Sequence, residues 1–367
     1  MRKESPSNAQ PEVSQAAVAD ALRALWVEPV DAPGRIAVAE ERVDELTRTT
    51  LDAMLTRRFR IGKKPSGEEH DLIFGHIRRY VRRGRPVQVA LGYGPLKNPN
   101  TTRQSRADWA DFFALANLCR WHNKVAEVYA PSLRVKLLFD DSTARMVLGA
   151  PRSRIKSYIG SLRRLIGVLG YRSVIVGTMR QSTFAWLFHL GFYQWARRRV
   201  RRWEQDPKNQ PLIDRMVEYA RRNLALPFGL DEEARERRYR EAGHRFRVYW
   251  EALALSGIPR LNTRLIAMYL DGTQHHRPQR GALHLHSLGG GQMTQPWQGE
   301  GALLDNGHGK LVPFALTAAR RDRMETRDVD GLALVPMEGF ERIEVCREAE
   351  QVAEPAKEAA RPRRHAA

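Results

Sequence analysis

Residues 87–100 read Val-Gln-Val-Ala-Leu-Gly-Tyr-Gly-Pro-Leu-Lys-Asn-Pro-Asn, a short apolar run that ends in a turn rich in glycine and proline. Two further short β-branched runs follow at 134–139 and 173–177. Helical patterns lie between the runs at 108–129 and 152–169, and in the second of these, apolar side chains recur every three or four residues. Short apolar strands that alternate with helices are typical of a parallel sheet covered by helices on both faces. The sequence therefore predicts an α/β fold with a Rossmann-like, mostly parallel core.

The rest of the chain predicts two additions to this core. Charged helical patterns indicate a helical insertion over about 182–256, and short runs between glycine turns indicate a β-rich C-terminal region over about 260–346. The strands predicted in that region are 265–270, 282–288, 310–316, 332–335 and 342–345. The predicted organisation is a single α/β catalytic domain over 16–350 between two tails expected to be disordered, 1–15 and the charged segment 351–367.

Charge is where the composition departs from that of an ordinary globular protein. Lys and Arg number 61 against 42 Asp and Glu in 367 residues, which gives a formal net charge of +19 and a pI near 10.4. This excess favours anionic partners, either nucleic acid or small phosphorylated molecules. Two cysteines cannot form a disulfide framework, and no apolar run is long enough to cross a bilayer. We therefore expect a cytoplasmic protein with no membrane partner.

Polar side chains follow each of the three predicted core strands. The first strand is followed by Lys97, Asn98 and Asn100, the second by Asp140 and Asp141, and the third by Thr178, Arg180 and Gln181. In open parallel sheets, ligands bind outside the carboxyl ends of the strands. If the strands are neighbours, one crevice holds cations for a phosphate or carboxylate and carboxylates for an amine. Such a crevice suits a zwitterionic or phosphorylated small substrate.

Several of these segments together resemble the isonitrile synthase family, the pyoverdine/dityrosine biosynthesis proteins that act on L-tyrosine or L-tryptophan. The resemblance is carried, in order, by segments 94–100, 108–113, 128–135, 139–141 and 294–299. The chain departs from the family pattern in having Asp141 in place of a glycine and Gln298 in place of a histidine. It therefore resembles a divergent member of that family.

The resemblance implies a reaction and a set of site residues. The amine of an amino acid, an aromatic one being favoured, condenses with the carbonyl of ribulose 5-phosphate and becomes an isonitrile, without a metal or redox cofactor. Lys97, Asp140 and Asp141 are the predicted catalytic residues, with Lys97 and Arg180 holding phosphate and Asp140 receiving the amine or moving protons. The predicted substrate-binding residues are Asn98, Asn100, Arg180, Gln181, His286, Trp297 and Gln298.

Two other interpretations remain open. His275, His276, His284 and His286, with Asp271 nearby, provide imidazoles for a Zn, Fe or Cu site, although their spacing matches no recognised metal motif. The second interpretation is binding of tRNA or another nucleic acid, with an enzyme that takes its amino acid from aminoacyl-tRNA. The arginines that would contact phosphates, paired one helical turn apart, are Arg197, Arg198, Arg201 and Arg202.

Overall fold

A parallel five-stranded sheet lies at the centre of the computed structural model, which describes residues 13–60, 64–178, 191–226, 229–255, 266–270, 283–285, 295–306 and 310–348. The strand order is β3-β2-β1-β4-β5, and every neighbouring pair is parallel. The strands are β1 (Val87–Tyr93), β2 (Leu133–Phe139), β3 (Val174–Thr178), β4 (Ile266–Leu270) and β5 (Leu283–Leu285). The predicted α/β fold with a parallel core is thus confirmed.

Helices precede the sheet, connect its strands and form a separate group late in the chain. The helix α6 confirms the predicted stripe, because Ile155, Tyr158, Ile159, Leu162 and Ile166 are all buried. The helices are α1 (Gln15–Leu25), α2 (Val43–Met54), α3 (Glu68–Val81), α4 (Trp109–Ala126), α5 (Asp141–Met146), α6 (Arg152–Val168), α7 (Tyr193–Glu204), α8 (Gln210–Asn223), α9 (Glu232–Leu255) and α10 (Ala318–Arg321).

A second sheet is mixed rather than parallel and has the order β7-β6-β9-β8. Its strands β6 and β9 run parallel to each other, whereas β7 and β8 are antiparallel to their neighbours. The strands are β6 (Glu300–Asp305), β7 (Leu311–Leu316), β8 (Met324–Val329) and β9 (Ile343–Glu348).

The helix α4 lies between the two sheets, since it packs on β2 and also on β6 and β7. Most of its side chains are buried, which is the expected property of a helix covered on all sides. At Gly301 the strand β6 approaches the backbone of α4 so closely that a β-carbon would lie 2.1 Å from the Ala110 nitrogen. Only glycine permits this contact, so α4 fixes the position of the mixed sheet relative to the core.

The predicted β-rich region is divided between the two sheets. Two of the predicted strands, observed as β4 and β5, extend the parallel sheet. The segment 332–335 is not a strand, while β6 and β8 form where no strand was predicted. A local apolar run indicates that a strand forms, but it does not indicate which strand it pairs with, because pairing depends on packing against distant parts of the chain. The predicted tails fall largely outside the described residues, although α1 already begins at Gln15.

Helices α7, α8 and α9, here called the helical lobe, fall within the predicted helical insertion. They pack on one another and on the residues that follow α5 through a separate apolar cluster. The cluster consists of Val147, Ala196, Val200, Phe246, Val248, Tyr249 and Ala252.

Candidate active site

The parallel sheet has its topological switch point at the carboxyl ends of β1 and β4. From β1 the chain adds β2 and β3 on one side, and it later adds β4 and β5 on the other. Ligands of open α/β sheets bind in the crevice outside the strand ends at this point. The segment Gly94 to Asn100, here called the motif loop, leaves β1 there. We therefore place the candidate site at this edge of the sheet.

The Lys97 ammonium group is completely enclosed in the base of the motif loop, with a side-chain exposure of 0 %. It lies 2.8 Å from Asp108 Oδ1 and 3.0 Å from Asp111 Oδ2. It also donates hydrogen bonds to the carbonyl oxygens of Pro296, at 2.7 Å, and Gly299, at 3.2 Å. An ammonium group has three protons to donate, and these four oxygens use all of them. In this arrangement Lys97 joins the motif loop to α4 and to segment 296–299.

The two carboxylates around Lys97 belong to the first turn of α4. Asp108 caps the helix by accepting from the Ala110 amide, and Asp111 accepts from the Asp108 amide, so the pair forms a capping box. Burial raises the pKa of Asp108 to about 7, against the opposing effect of the Lys97 charge. For Lys97, burial favours the neutral amine, but Asp108 and Asp111 together outweigh it and raise its pKa. Lys97 is therefore a cation at neutral pH.

Two tyrosines complete this buried network. The Tyr93 hydroxyl donates to Asp111 Oδ1 at 2.8 Å, and the Tyr158 hydroxyl donates to the same oxygen at 2.6 Å. Burial first, and then the Asp111 charge, raise the pKa of both phenols well above the usual value. Both hydroxyls are thus neutral donors, and they tie the end of β1 and the helix α6 to the same carboxylate.

Trp297 closes over the start of the motif loop. Its ring lies 4.8 Å from that of Tyr93, measured between centroids. A β-carbon at Gly94 would lie only 2.3 to 2.5 Å from atoms of the Trp297 ring. The backbone N–H of Asn98 donates to the backbone carbonyl of Trp297 at 2.8 Å. The glycine in the motif loop is therefore required so that the indole can lie against the backbone.

Three amide side chains connect the motif loop to the helical lobe. Asn98 Nδ2 donates to Gln298 Oε1 at 2.7 Å and to the Arg222 carbonyl at 2.8 Å, and Gln298 Nε2 donates to Asn223 Oδ1 at 3.0 Å. Asn100 Nδ2 donates to carbonyls at the same helix end, including that of Leu224 at 3.1 Å. These bonds satisfy carbonyl groups that a helix end leaves without partners. They hold α8 against the sheet edge.

Asp140 follows β2 directly and faces the helical lobe. Its Oδ1 accepts a hydrogen bond from the Tyr249 hydroxyl of α9 at 2.9 Å, and the residue remains partly exposed. The pKa of Tyr219 on α8 is raised, mainly by burial and further by the charge of Asp140. The next residue, Asp141, is buried and begins α5. Asp140 is thus a partly exposed carboxylate at the strand end, oriented by a tyrosine.

The structure divides the predicted site residues into three groups. Lys97, Asn98, Asn100, Trp297 and Gln298 come together, but the ammonium group and the side-chain amides among them are bound to other protein groups. The prediction that Lys97 holds phosphate is not supported by this geometry, because the ammonium is enclosed and its protons are used. Asp140 contacts α9 instead, and Asp141 is buried at the start of α5. Arg180, Gln181 and His286 lie outside the described residues and remain predictions.

Sequence reasoning did not include Tyr93, Asp108, Asp111 and Tyr158 among the site residues. The Asp108-x-x-Asp111 spacing was a usable signal, since it places two carboxylates on one turn of a helix that follows the lysine. The two tyrosines gave no such signal, because each also fits an ordinary core position of its strand or helix.

The histidine cluster proposed as a metal site lies outside the described residues, apart from the backbone of His284 in β5. Within the described part of the chain, no group of three or more His, Cys, Asp or Glu side chains is arranged to hold a metal ion. In the same part of the chain, no helix has the length and apolar character needed to cross a membrane.

Comparisons with known proteins identify similar sequences and folds. The family model described as "Pyoverdine/dityrosine biosynthesis protein" matches residues 77–253. The crystal structure of the PvcA protein from Pseudomonas aeruginosa is similar over 83 % of this chain and 100 % of that one, with a TM-score of 0.59 and 16 % identity. A tryptophanyl-tRNA synthetase from Aeropyrum pernix K1 reaches a TM-score of only 0.29 at 10 % identity, over 67 % of this chain and 59 % of that one. No curated protein matches the chain.

Proposed function

We propose that this chain, whose residues 77–253 match the model of the pyoverdine/dityrosine biosynthesis family, is an isonitrile synthase-like enzyme of secondary metabolism. The match to that family supports a biosynthetic enzyme. The observation that carries the finer proposal is the position of the family-like motif loop, which leaves β1 at the switch point of the sheet. In the proposed reaction, the amine of an amino acid, preferably an aromatic one, becomes an isonitrile. A phosphorylated sugar such as ribulose 5-phosphate is the one-carbon donor.

Asp140 is the residue that we assign to the amine. A carboxylate at a strand end can pair with the ammonium group of an amino acid and accept one of its protons, which frees the nitrogen lone pair to attack a carbonyl. The Tyr249 hydroxyl bond fixes the direction in which the carboxylate points. Close to Asp140, the partly exposed ring of Tyr219 stacks on the buried ring of Phe246, with centroids 4.5 Å apart. The Tyr219 ring supports the preference for an aromatic substrate, because aromatic rings pack favourably on one another.

Lys97 has a positioning role in this proposal. Its ammonium group holds the motif loop, the start of α4 and segment 296–299 in one arrangement. The amides of Asn98, Asn100 and Gln298 extend that arrangement to the helical lobe, which also supplies Tyr249 beside Asp140. A cation for the sugar phosphate is then required from elsewhere, and Arg180 remains the predicted residue.

Product formation with a labelled donor tests the proposal. Purified protein is incubated with each of the twenty amino acids and with ribulose 5-phosphate that carries ¹³C. We expect consumption of both substrates and a ¹³C-labelled product, identified by mass spectrometry, with at least one aromatic amino acid. Absence of consumption with all twenty amino acids, in a preparation that is folded by circular dichroism, would overturn the proposal.

Two variants test the role of Asp140. Asp140→Asn removes the charge that pairs with the amine, so kcat/KM should fall by about 10²-fold or more, in the range typical of a lost acid–base group. Asp20→Asn is the matched control, because Asp20 is exposed and its carboxylate forms an ion pair with Arg23, far from Asp140 in the chain. The control should keep full activity. Equal activity of the two variants would remove Asp140 from the proposal.

A further inference from the structure

The outer surface of α7 carries an unusual density of positive charge. Arg197, Arg198, Arg201 and Arg202, here called the basic face, are all exposed. The opposite side of the helix is apolar, and its Ala196 and Val200 are buried against α9 in the apolar cluster of the helical lobe. The helix is therefore fixed to the protein by one side and presents its arginines to solvent on the other.

The arginines of the basic face have no carboxylate within ion-pair distance among the described residues, unlike several arginines elsewhere in the helical lobe. Within the described residues, no Asp or Glu oxygen lies within 4.0 Å of any of the four. By contrast, Arg221, Arg222, Arg235, Arg237 and Arg238 each have a glutamate within that distance. An exposed cation that is not neutralised locally remains available for an external anion.

An exposed aromatic ring lies beside these arginines. Trp195 is 51 % exposed and precedes Arg198, Arg199 and Arg202 by three, four and seven residues, so all four share one side of the helix. Arg199 lies over the Trp195 ring, 5.9 Å from its centroid, and its Nε is 2.9 Å from Glu251 on α9. Arg199 thus connects the indole to α9.

We propose that the basic face and Trp195 form a binding site for a single-stranded nucleic acid. Guanidinium groups bind phosphates, and an exposed indole stacks with a base, which is the combination that sequence-tolerant single-strand binding uses. An anionic membrane is a poorer partner, because surface-bound helices insert their apolar side and that side of α7 is buried in the lobe. An acidic peptide would neutralise the arginines but would leave the indole without a stacking partner.

Fluorescence anisotropy with a labelled oligouridylate of about 16 nucleotides tests the proposal across a salt series. Four phosphate contacts predict a slope of log K against log salt of about −2.8, at about −0.7 for each contact. The Arg198→Glu/Arg202→Glu variant should reduce that slope by about 1.4. Trp195→Ala should weaken binding between about fivefold and 150-fold, since stacking on an aromatic ring contributes about 1–3 kcal/mol for each base.

The matched control is Arg237→Glu/Arg238→Glu on α9, which changes the net charge equally but alters arginines that have glutamate neighbours. The control should retain the wild-type slope. The proposal is overturned if both double variants lose the same affinity, or if Trp195→Ala binds as the wild type does. It is also overturned if heparin or phosphatidylserine vesicles bind with the same dependence on Trp195 as the oligonucleotide. Circular dichroism establishes that each variant is folded.

Discussion

Replacing Lys97 by methionine should destabilise the protein severely, for reasons that follow from the buried network at the start of α4. Methionine keeps the length and the apolar stem of the lysine but removes the ammonium group. Asp108 and Asp111 then face each other without a cation, in a region where their side chains are 4 % and 0 % exposed. The Pro296 and Gly299 carbonyls also lose their donor. The substitution thus removes one donor group and leaves four oxygen atoms without the contact that it made with each of them.

The magnitude follows from two contributions. Breaking a buried ion pair by removing one partner costs about 3–5 kcal/mol, because the remaining charge stays buried. A buried carbonyl left without a donor adds about 1–3 kcal/mol unless water reaches it. Since the whole free energy of unfolding of a domain is about 5–15 kcal/mol, Lys97→Met removes a large part of it. We expect a clear decrease in the urea midpoint at pH 7.5, measured by tryptophan fluorescence.

The loss of stability should also depend on pH. With the cation gone, protonation of one carboxyl relieves the repulsion, so the difference between Lys97→Met and wild type should narrow as the pH falls towards 5. In the wild type, Asp108 has a pKa of about 7 in the folded state and near its usual 3.8 when unfolded. Between pH 3.8 and about pH 7, Asp108 therefore binds a proton in the folded state that it does not bind in the unfolded state. The contribution of Asp108 to the free energy of unfolding decreases as the pH rises through this interval. Asp108→Asn should remove that dependence.

A double-mutant cycle provides the control. Asp108→Asn should cost less in the Lys97→Met background than in wild type, because the two residues interact directly. A free energy of unfolding of Lys97→Met within about 0.5 kcal/mol of the wild-type value, a change typical of exposed positions, would refute this account. Loss of substrate consumption with unchanged stability would instead identify Lys97 as a catalytic residue.

Two further predictions concern the motif loop and the thiols. Gly94→Ala should displace Trp297, lower the free energy of unfolding by about 1–3 kcal/mol and change the tryptophan emission. Gly92→Ala is the control, because no atom would lie within 4 Å of the new methyl group. It should have little effect on either measurement. Cys119 and Cys346 are buried, and burial raises the pKa of each thiol to about 12, so a thiol reagent at pH 8 should label both only after unfolding. Rapid labelling of the native protein, or equal effects of the two glycine substitutions, would contradict these expectations.

The core of the fold could be predicted because its signals are local. β1, β2 and β3 are short apolar runs, and α6 carries a complete apolar stripe, so each element is recognisable without its neighbours. β4 gave the same kind of signal, but not the information that it pairs with β1. Parallel pairing depends on contacts between segments far apart in the chain, which a single sequence does not display.

The candidate site could be predicted in position but less well in the roles of its side chains. The rule that ligands bind beyond the carboxyl ends of parallel strands drew attention to the motif loop and Asp140, and both do follow such strand ends in the structure. The Ser105-x-x-Asp108 spacing predicts a helix start with Ser105 as the cap, whereas in the structure the cap of α4 is Asp108 itself. Its second contact, with Lys97, and the bond from Asn100 to the Leu224 carbonyl join distant segments. For that reason the sequence does not reveal that Lys97 and the two asparagines are bound to other protein groups in the fold.

The pairing of β1 with β4 has a consequence for synthesis of the protein on the ribosome. Val89 pairs with Ile266, and α4 to α9 all lie between these residues along the chain. A three-stranded sheet of β1, β2 and β3 can therefore form while the fourth strand has not yet emerged. During that interval one edge of β1 presents unpaired backbone groups, an arrangement that invites association between nascent chains. Translation speed through the helical lobe, and chaperones that cover this edge, should therefore control how much of the protein is recovered in native form.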